Sequence, residues 1–173
     1  MQFEPEQDKL LSTQNKISDT SLYGGTIILR HFWDPMIGAH LKNQSQNTTW
    51  YASRTIFSPV DTIVNCWIDF NNYSRSTATI PPQIGSWDHK NSQVWLNGVP
   101  ISPPKWRSSS KQVNLETPLI DEGYAYRSPT IVHLKKGNNV LLVKCPVSSF
   151  IGKDWQNPIK WMFTFVILDK IVQ

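Results

Sequence analysis

The chain has 173 residues, 39% hydrophobic and 17% charged, which suits a single folded domain burying about two-thirds of its unfolded surface and excludes a disordered polymer. Its net charge is +4 and its pI about 9.1, but the basic residues are scattered, and the largest groups are only Lys105-Arg107-Lys111 and Lys135-Lys136. Nucleic-acid binders gather Lys and Arg on one face, and a membrane span needs roughly 18 apolar residues in a row, so neither nucleic acid nor a bilayer core is an expected partner.

Residues 1 to 22 are polar, with isolated apolar positions at Leu10, Leu11 and Ile17. They read as a leader or linker with one short helical turn around Glu6 to Leu11. The start, Met1-Gln2-Phe3-Glu4-Pro5-Glu6, is polar and acidic and carries no signal peptide. Met1 is either a native start or the start of an excised domain whose signal lies upstream. The domain itself is expected over 23–173, opening at Tyr23-Gly24-Gly25.

Thr26 to Trp33 predicts a strand, Asp34 to Asn47 a loop, and Trp50 to Phe57 a second strand turned by Ser58-Pro59. Thr62 to Phe70 alternates most clearly. Val64, Cys66, Ile68 and Phe70 share one face, and Asn65, Trp67 and Asp69 the other, as in a half-buried antiparallel strand. Asn71 to Gly85 is a loop of the length that often carries function.

Asn97-Gly98 lies between Gln93 to Leu96 and Val99 to Ile101. Both turn residues tolerate positive φ, so a two-residue type I′ hairpin is expected, ended by Pro103-Pro104. Val94 and Leu96 face one side and Trp95 the other. Ser108 to Ala125 is a polar connection. Ile131 to Leu134 and Asn139 to Cys145 read as a second hairpin around Lys136-Gly137-Asn138. Pro146 to Pro158 is a loop, and Lys160 to Leu168 a last strand with Trp161, Phe163 and Phe165 on one face. No helix of ordinary length and no repeat is evident. Some eight short strands with long connections predict an all-β antiparallel β-sandwich of the jelly-roll type.

Cys66 and Cys145 each sit in an apolar strand with no Cys or His at metal spacing, which argues against zinc. They pack as small hydrophobes, or pair if their strands are neighbours. No dense acidic loop calls for calcium, so no cofactor is predicted, although jelly rolls often hold a structural Ca²⁺.

Both arms of the first hairpin run back from its turn by similar lengths. Trp87, Asp88 and His89 before it, and Trp106 and Arg107 after it, should therefore share one rim, opposite Asn97-Gly98. Tyr124, Tyr126 and Arg127 would join them if their loop reaches that end. Indoles stack on the apolar C–H faces of sugar rings, while carboxylate, imidazole and guanidinium groups bond to hydroxyls. These eight residues are the candidate carbohydrate site. The ordinary alternative is that Trp87 and Trp106 plug the open end of the sandwich while Asp88 satisfies buried amides, since Trp is highly buried on average. Trp67 and Trp95 would pack beneath loops or meet another domain, and His31 would be a satisfied buried histidine.

The motifs Gly24-Gly25, Leu29-Arg30-His31-Phe32-Trp33, Asn72-Tyr73-Ser74-Arg75-Ser76, Gly85-Ser86-Trp87-Asp88 and Val94-Trp95-Leu96-Asn97-Gly98 form a recognisable set. With Pro103-Pro104-Lys105-Trp106, Arg127-Ser128-Pro129-Thr130, Leu134-Lys135-Lys136-Gly137 and Lys160-Trp161-Met162-Phe163-Thr164-Phe165, the region from Tyr23 onward resembles the C-terminal galactose-binding-like β-sandwich of Bacteroides-type chitobiases and β-N-acetylhexosaminidases. The resemblance implies an accessory module of a secreted glycoside hydrolase, in the periplasm, cell envelope or outside the cell. Its partners would be an N-acetylhexosamine-containing glycan or its own upstream catalytic domain. It supplies no catalytic residue. That family's active site is an Asp-Glu pair in a separate barrel, and Asp121-Glu122 lacks the His and Gly residues that precede the catalytic pair.

Enzymatic readings have little to build on. His31, His40, His89 and His133 come with no nucleophile elbow, and paired carboxylates would have to be assembled from Asp88, Glu116, Asp121 and Glu122. The expected role is carbohydrate binding. The alternative is a structural domain that docks on a catalytic neighbour through an exposed apolar patch, formed by residues such as Trp67 or Trp95.

Overall fold

The computed structural model describes residues 25–31, 36, 48–73, 85–88, 90–103, 129–147 and 159–169. The expected leader at 1–22 and most of the expected long connections lie outside them. Eight strands are described: β1 (Thr26–His31), β2 (Thr48–Ser58), β3 (Thr62–Tyr73), β4 (Gln93–Leu96), β5 (Val99–Pro100), β6 (Thr130–Leu134), β7 (Gly137–Val147) and β8 (Ile159–Ile167). Among the described residues there is no helix.

The strands form two four-stranded sheets, β1-β8-β3-β6 and β2-β7-β4-β5, antiparallel at every pairing. The expected alternation sets the inner faces. Val64, Cys66, Ile68 and Phe70 of β3 line the core with Trp161, Phe163 and Phe165 of β8, and Val94 and Leu96 of β4 meet them with Leu141, Val143 and Cys145 of β7. Phe70 lies opposite Phe163 in register, and Ile68 opposite Phe165, so large side chains stack across the ladder. The result is a β-sandwich with an aromatic core. His31 is buried at the end of β1. A Cβ on Gly25 would come within 2.7 Å of Val166 Cγ2, which makes glycine the residue that fits as the chain enters β1 beside β8.

The first hairpin forms as expected. Asn97 and Gly98 have φ of 52° and 77°, and Leu96 pairs with Val99. The second does not. β6 pairs with β3, while β7 pairs with β2 and β4, so Lys135-Lys136 crosses from one sheet to the other as an arch. The β2–β3 connection crosses in the same way at the same end, with Asp61 Oδ1 accepting the Lys136 N–H at 2.8 Å.

Asn139, with no exposed surface, holds this end together. Its Oδ1 accepts the Lys135 N–H at 2.9 Å, and its Nδ2 donates to the carbonyls of Lys135 at 2.8 Å and Gly137 at 3.2 Å. The side chain thus supplies partners to backbone that leaves one ladder before joining the next. We expect Asn139→Ala to lower the unfolding free energy by about 1–3 kcal/mol, since it removes several part-buried hydrogen bonds at once. Exposed Phe57→Ser should stay within about 0.5 kcal/mol of the parent. Equal urea midpoints for the two variants would contradict this assignment.

Candidate functional site

Trp87 and Asp88 lie at the end of the sandwich away from the arches. Trp87 packs edge-on against Phe70, eight residues along β3 from Thr62, with ring centroids 5.8 Å apart and an interplanar angle of 64°. Its indole N–H donates to the Ile101 carbonyl at 3.2 Å, and the side chain is 5% exposed within the core cluster. Both faces of the ring belong to the interior. Its body fills the core and its one polar atom ties the exit of the β4–β5 hairpin to the loop before it.

Asp88 is 7% exposed and organises the turn that leads into β4. One carboxylate oxygen accepts the N–H groups of Lys90 at 2.8 Å and Ser92 at 3.0 Å, and the other accepts the Ser92 hydroxyl at 2.5 Å. Asn91, between them, adopts φ of 62° and is exposed, with its Oδ1 accepting from Gln93 Nε2 at 3.4 Å. A short acidic side chain can wrap backbone donors two and four residues on, which is why aspartate suits this place. Sequence reading picked out Trp87 and Asp88 but missed Ser92, which is buried beside the carboxylate. The Asp-x-x-x-Ser spacing was the available signal.

His89, Trp106, Arg107, Tyr124, Tyr126 and Arg127 lie outside the described residues. Of the eight candidate carbohydrate contacts, the described pair serves packing and loop closure. Trp95, offered as an exposed docking residue, is 8% exposed on the outer face of its sheet, opposite Leu142, and Trp67 is half-buried. Among the described residues no cluster of three or more His, Cys, Asp or Glu side chains could hold a metal ion.

Cys66 and Cys145 are free thiols on the inner faces of opposite sheets. Burial, aided by the Asp169 carboxylate, pushes the Cys66 thiol up to about 12, and burial followed by Asp88 raises Cys145 well above its ordinary value. Neither is a nucleophile at neutral pH.

No family model, curated protein or solved structure compared with the chain matches it.

Trp87→Ala is expected to cost about 3–5 kcal/mol of folding stability in urea titration, the range for deleting a buried aromatic. Loss below about 1 kcal/mol would place the ring outside the core. The thiols predict an alkaline effect. A thiol held protonated in the fold stabilises fully below its unfolded value, and that contribution is lost as pH climbs from 9.0 toward 12 for Cys66. Stability of the parent should therefore fall more steeply over that range than stability of Cys66→Ala. Parallel curves would refute the assignment.

Proposed function

We propose that this chain is an accessory β-sandwich module, of the galactose-binding-like jelly-roll type, that attaches at its arch end to a neighbouring domain of the same polypeptide and performs no bond cleavage itself. One observation carries the reading: exposed apolar side chains gather at that end. Phe57 and Val60 flank the β2–β3 crossing, Ile63 follows it, Val99 adjoins the Asn97-Gly98 turn, and all four are more than half exposed. Val140, next to buried Asn139, is 46% exposed. Exposed Asp61, Lys135 and Lys136 provide a polar rim.

The course of the chain supports a tethered occupant. β1 starts beside the middle of β8 and runs away from the arches, and β8 ends toward them, with the Leu168 N–H donating to the Asn65 carbonyl at 2.8 Å. A domain joined after Asp169 would be tethered near this apolar collar, since Leu168 lies beside Asn65, close to the start of β3.

Carbohydrate binding is the second reading. It is favoured by the loop that Asp88 locks at the opposite end, from which Asn91 projects into solvent on a pre-organised frame. On this reading Trp106, Arg107, Tyr124, Tyr126 and Arg127, with His89, carry the contacts to an N-acetylhexosamine, and Trp87 and Asp88 build the frame. The kinship with chitobiase accessory domains and a place in a secreted enzyme belong to this same reading.

Hydrogen exchange tests the first reading. Amides over 56–63 and 131–140 should exchange more slowly in the natural polypeptide than in the chain alone, and identical exchange would reject docking there. Calorimetric titration with N-acetylglucosamine oligomers tests the second. Millimolar binding that Trp106→Ala abolishes would establish it, and no heat from the parent would exclude it.

A further inference from the structure

The arch end also contains a reactive dipeptide. Asn97 is followed by Gly98, both are exposed to water, and the turn holds Asn97 at φ of 52°. With no side chain on the following residue, the glycine amide nitrogen meets little hindrance in approaching the asparagine Cγ. That approach requires the side-chain amide to turn freely. In this fold it is held at both ends. Asn97 Oδ1 accepts the Val140 N–H at 2.9 Å, and Asn97 Nδ2 donates to Asn139 Oδ1 at 2.9 Å. The Asn97 backbone N–H also donates to the Val140 carbonyl at 2.8 Å. The amide of Asn97 thus stands in for a ladder carbonyl beyond the end of β4, and it leans on the same buried Asn139 that closes the β6–β7 arch.

We propose that Asn97-Gly98 is a self-modification site gated by this clasp. When the clasp opens, solvent hydroxide removes the Gly98 amide proton and the nitrogen attacks Asn97 Cγ. A Cγ–N bond to Gly98 forms, the Cγ–Nδ2 bond breaks, and Nδ2 leaves as ammonia, its third hydrogen replacing the one taken from Gly98. Water then opens the cyclic imide at either carbonyl. Cleavage at Cγ gives aspartate, and cleavage at the main-chain carbonyl gives isoaspartate, with the chain continuing through the side chain. No oxidant or enzyme is consumed.

The aspartate product re-forms only part of the clasp, since an oxygen can still accept the Val140 N–H but nothing donates to Asn139 Oδ1. Aspartate puts a second acceptor oxygen where Nδ2 donated to Asn139 Oδ1. Asn139 cannot rotate its amide to compensate, because its Oδ1 and Nδ2 are engaged by the N–H and carbonyl of Lys135. Isoaspartate adds a main-chain atom to a two-residue turn. Either product loosens the end where Phe57, Val60 and Val99 are exposed.

The reaction rate follows the population of the opened clasp. Two hydrogen bonds must break, which corresponds to roughly 10- to 100-fold slowing relative to the unfolded chain. The test is peptide mapping after incubation at mildly alkaline pH, native and in denaturant, with aspartate and isoaspartate at position 97 counted separately. The expected result is at least about tenfold slower conversion in the native protein, and faster conversion in folded Asn139→Ala. Equal native and denatured rates would overturn the proposal. Because Asn139→Ala can fail to fold, Asn97→Asp provides a second arm. Its Lys135 amide should exchange at least about tenfold faster than in the parent, and unchanged protection there would overturn the claim that modification opens the arch.

Discussion

A single buried amide satisfies the backbone where the chain crosses from one sheet to the other. Where β6 ends and β7 begins, the backbone leaves one ladder before it enters the other, so its polar groups lose their strand partners at a point partly shielded from water. Asn139 answers that need with both ends of its side chain, taking the N–H and carbonyl of Lys135 and the carbonyl of Gly137. A leucine there would match the apolar face of Leu141 and Val143 and leave the arch unsatisfied. With the crossing fixed, β7 can stand between β2 and β4, and the second sheet exists because it does.

The clearest strands were legible because they are half-buried, and half-burial writes a period of two into the chain. Val64, Cys66, Ile68 and Phe70 are the clearest case, and they face the core as their spacing requires. The Asn97-Gly98 turn was legible for a different reason, since its positive φ values restrict which residues can occupy it. The β6–β7 connection was misread from equally good local chemistry. Lys136-Gly137-Asn138 carries a turn signal, and Gly137 has φ of 96° at the start of β7. A turn signal does not say whether the strands beside it pair with each other or part into different sheets. That choice belongs to long-range partners, with Val64 opposite Val132 and Ala52 opposite Val143, which no local window contains.

The candidate site shows the same limit in chemical form. Trp87 and Asp88 suit a sugar-binding rim by residue type, and they suit a sandwich plug equally well. An indole is an apolar ring whether it packs on a sugar or edge-on against Phe70, and a carboxylate accepts a hydroxyl from a ligand or from Ser92 with the same oxygens. Burial separates the two uses, and burial depends on how loop and hairpin close over the end of the core. The Asp-x-x-x-Ser spacing announces the closure locally, but only the Ile101 carbonyl, fourteen residues on, shows that Trp87 is sealed beneath it.

The two ends of the sandwich face different physical problems. At one end a long connection must be closed over an aromatic core, and Trp87 with Asp88 does so from within. At the other end the connections are so short that they cannot fold back over the outer faces. A residue one step from a crossing, such as Phe57 or Ile63, has a partner beside it in the ladder and an exposed side chain. Serine or threonine would serve the ladder there without exposing apolar surface, and β-sheet propensity alone does not require a phenylalanine. Buried side chains are selected by the core, but these are not in the core. Their apolar character is not accounted for by packing within the described sandwich, which is why the proposed contact is placed at this end.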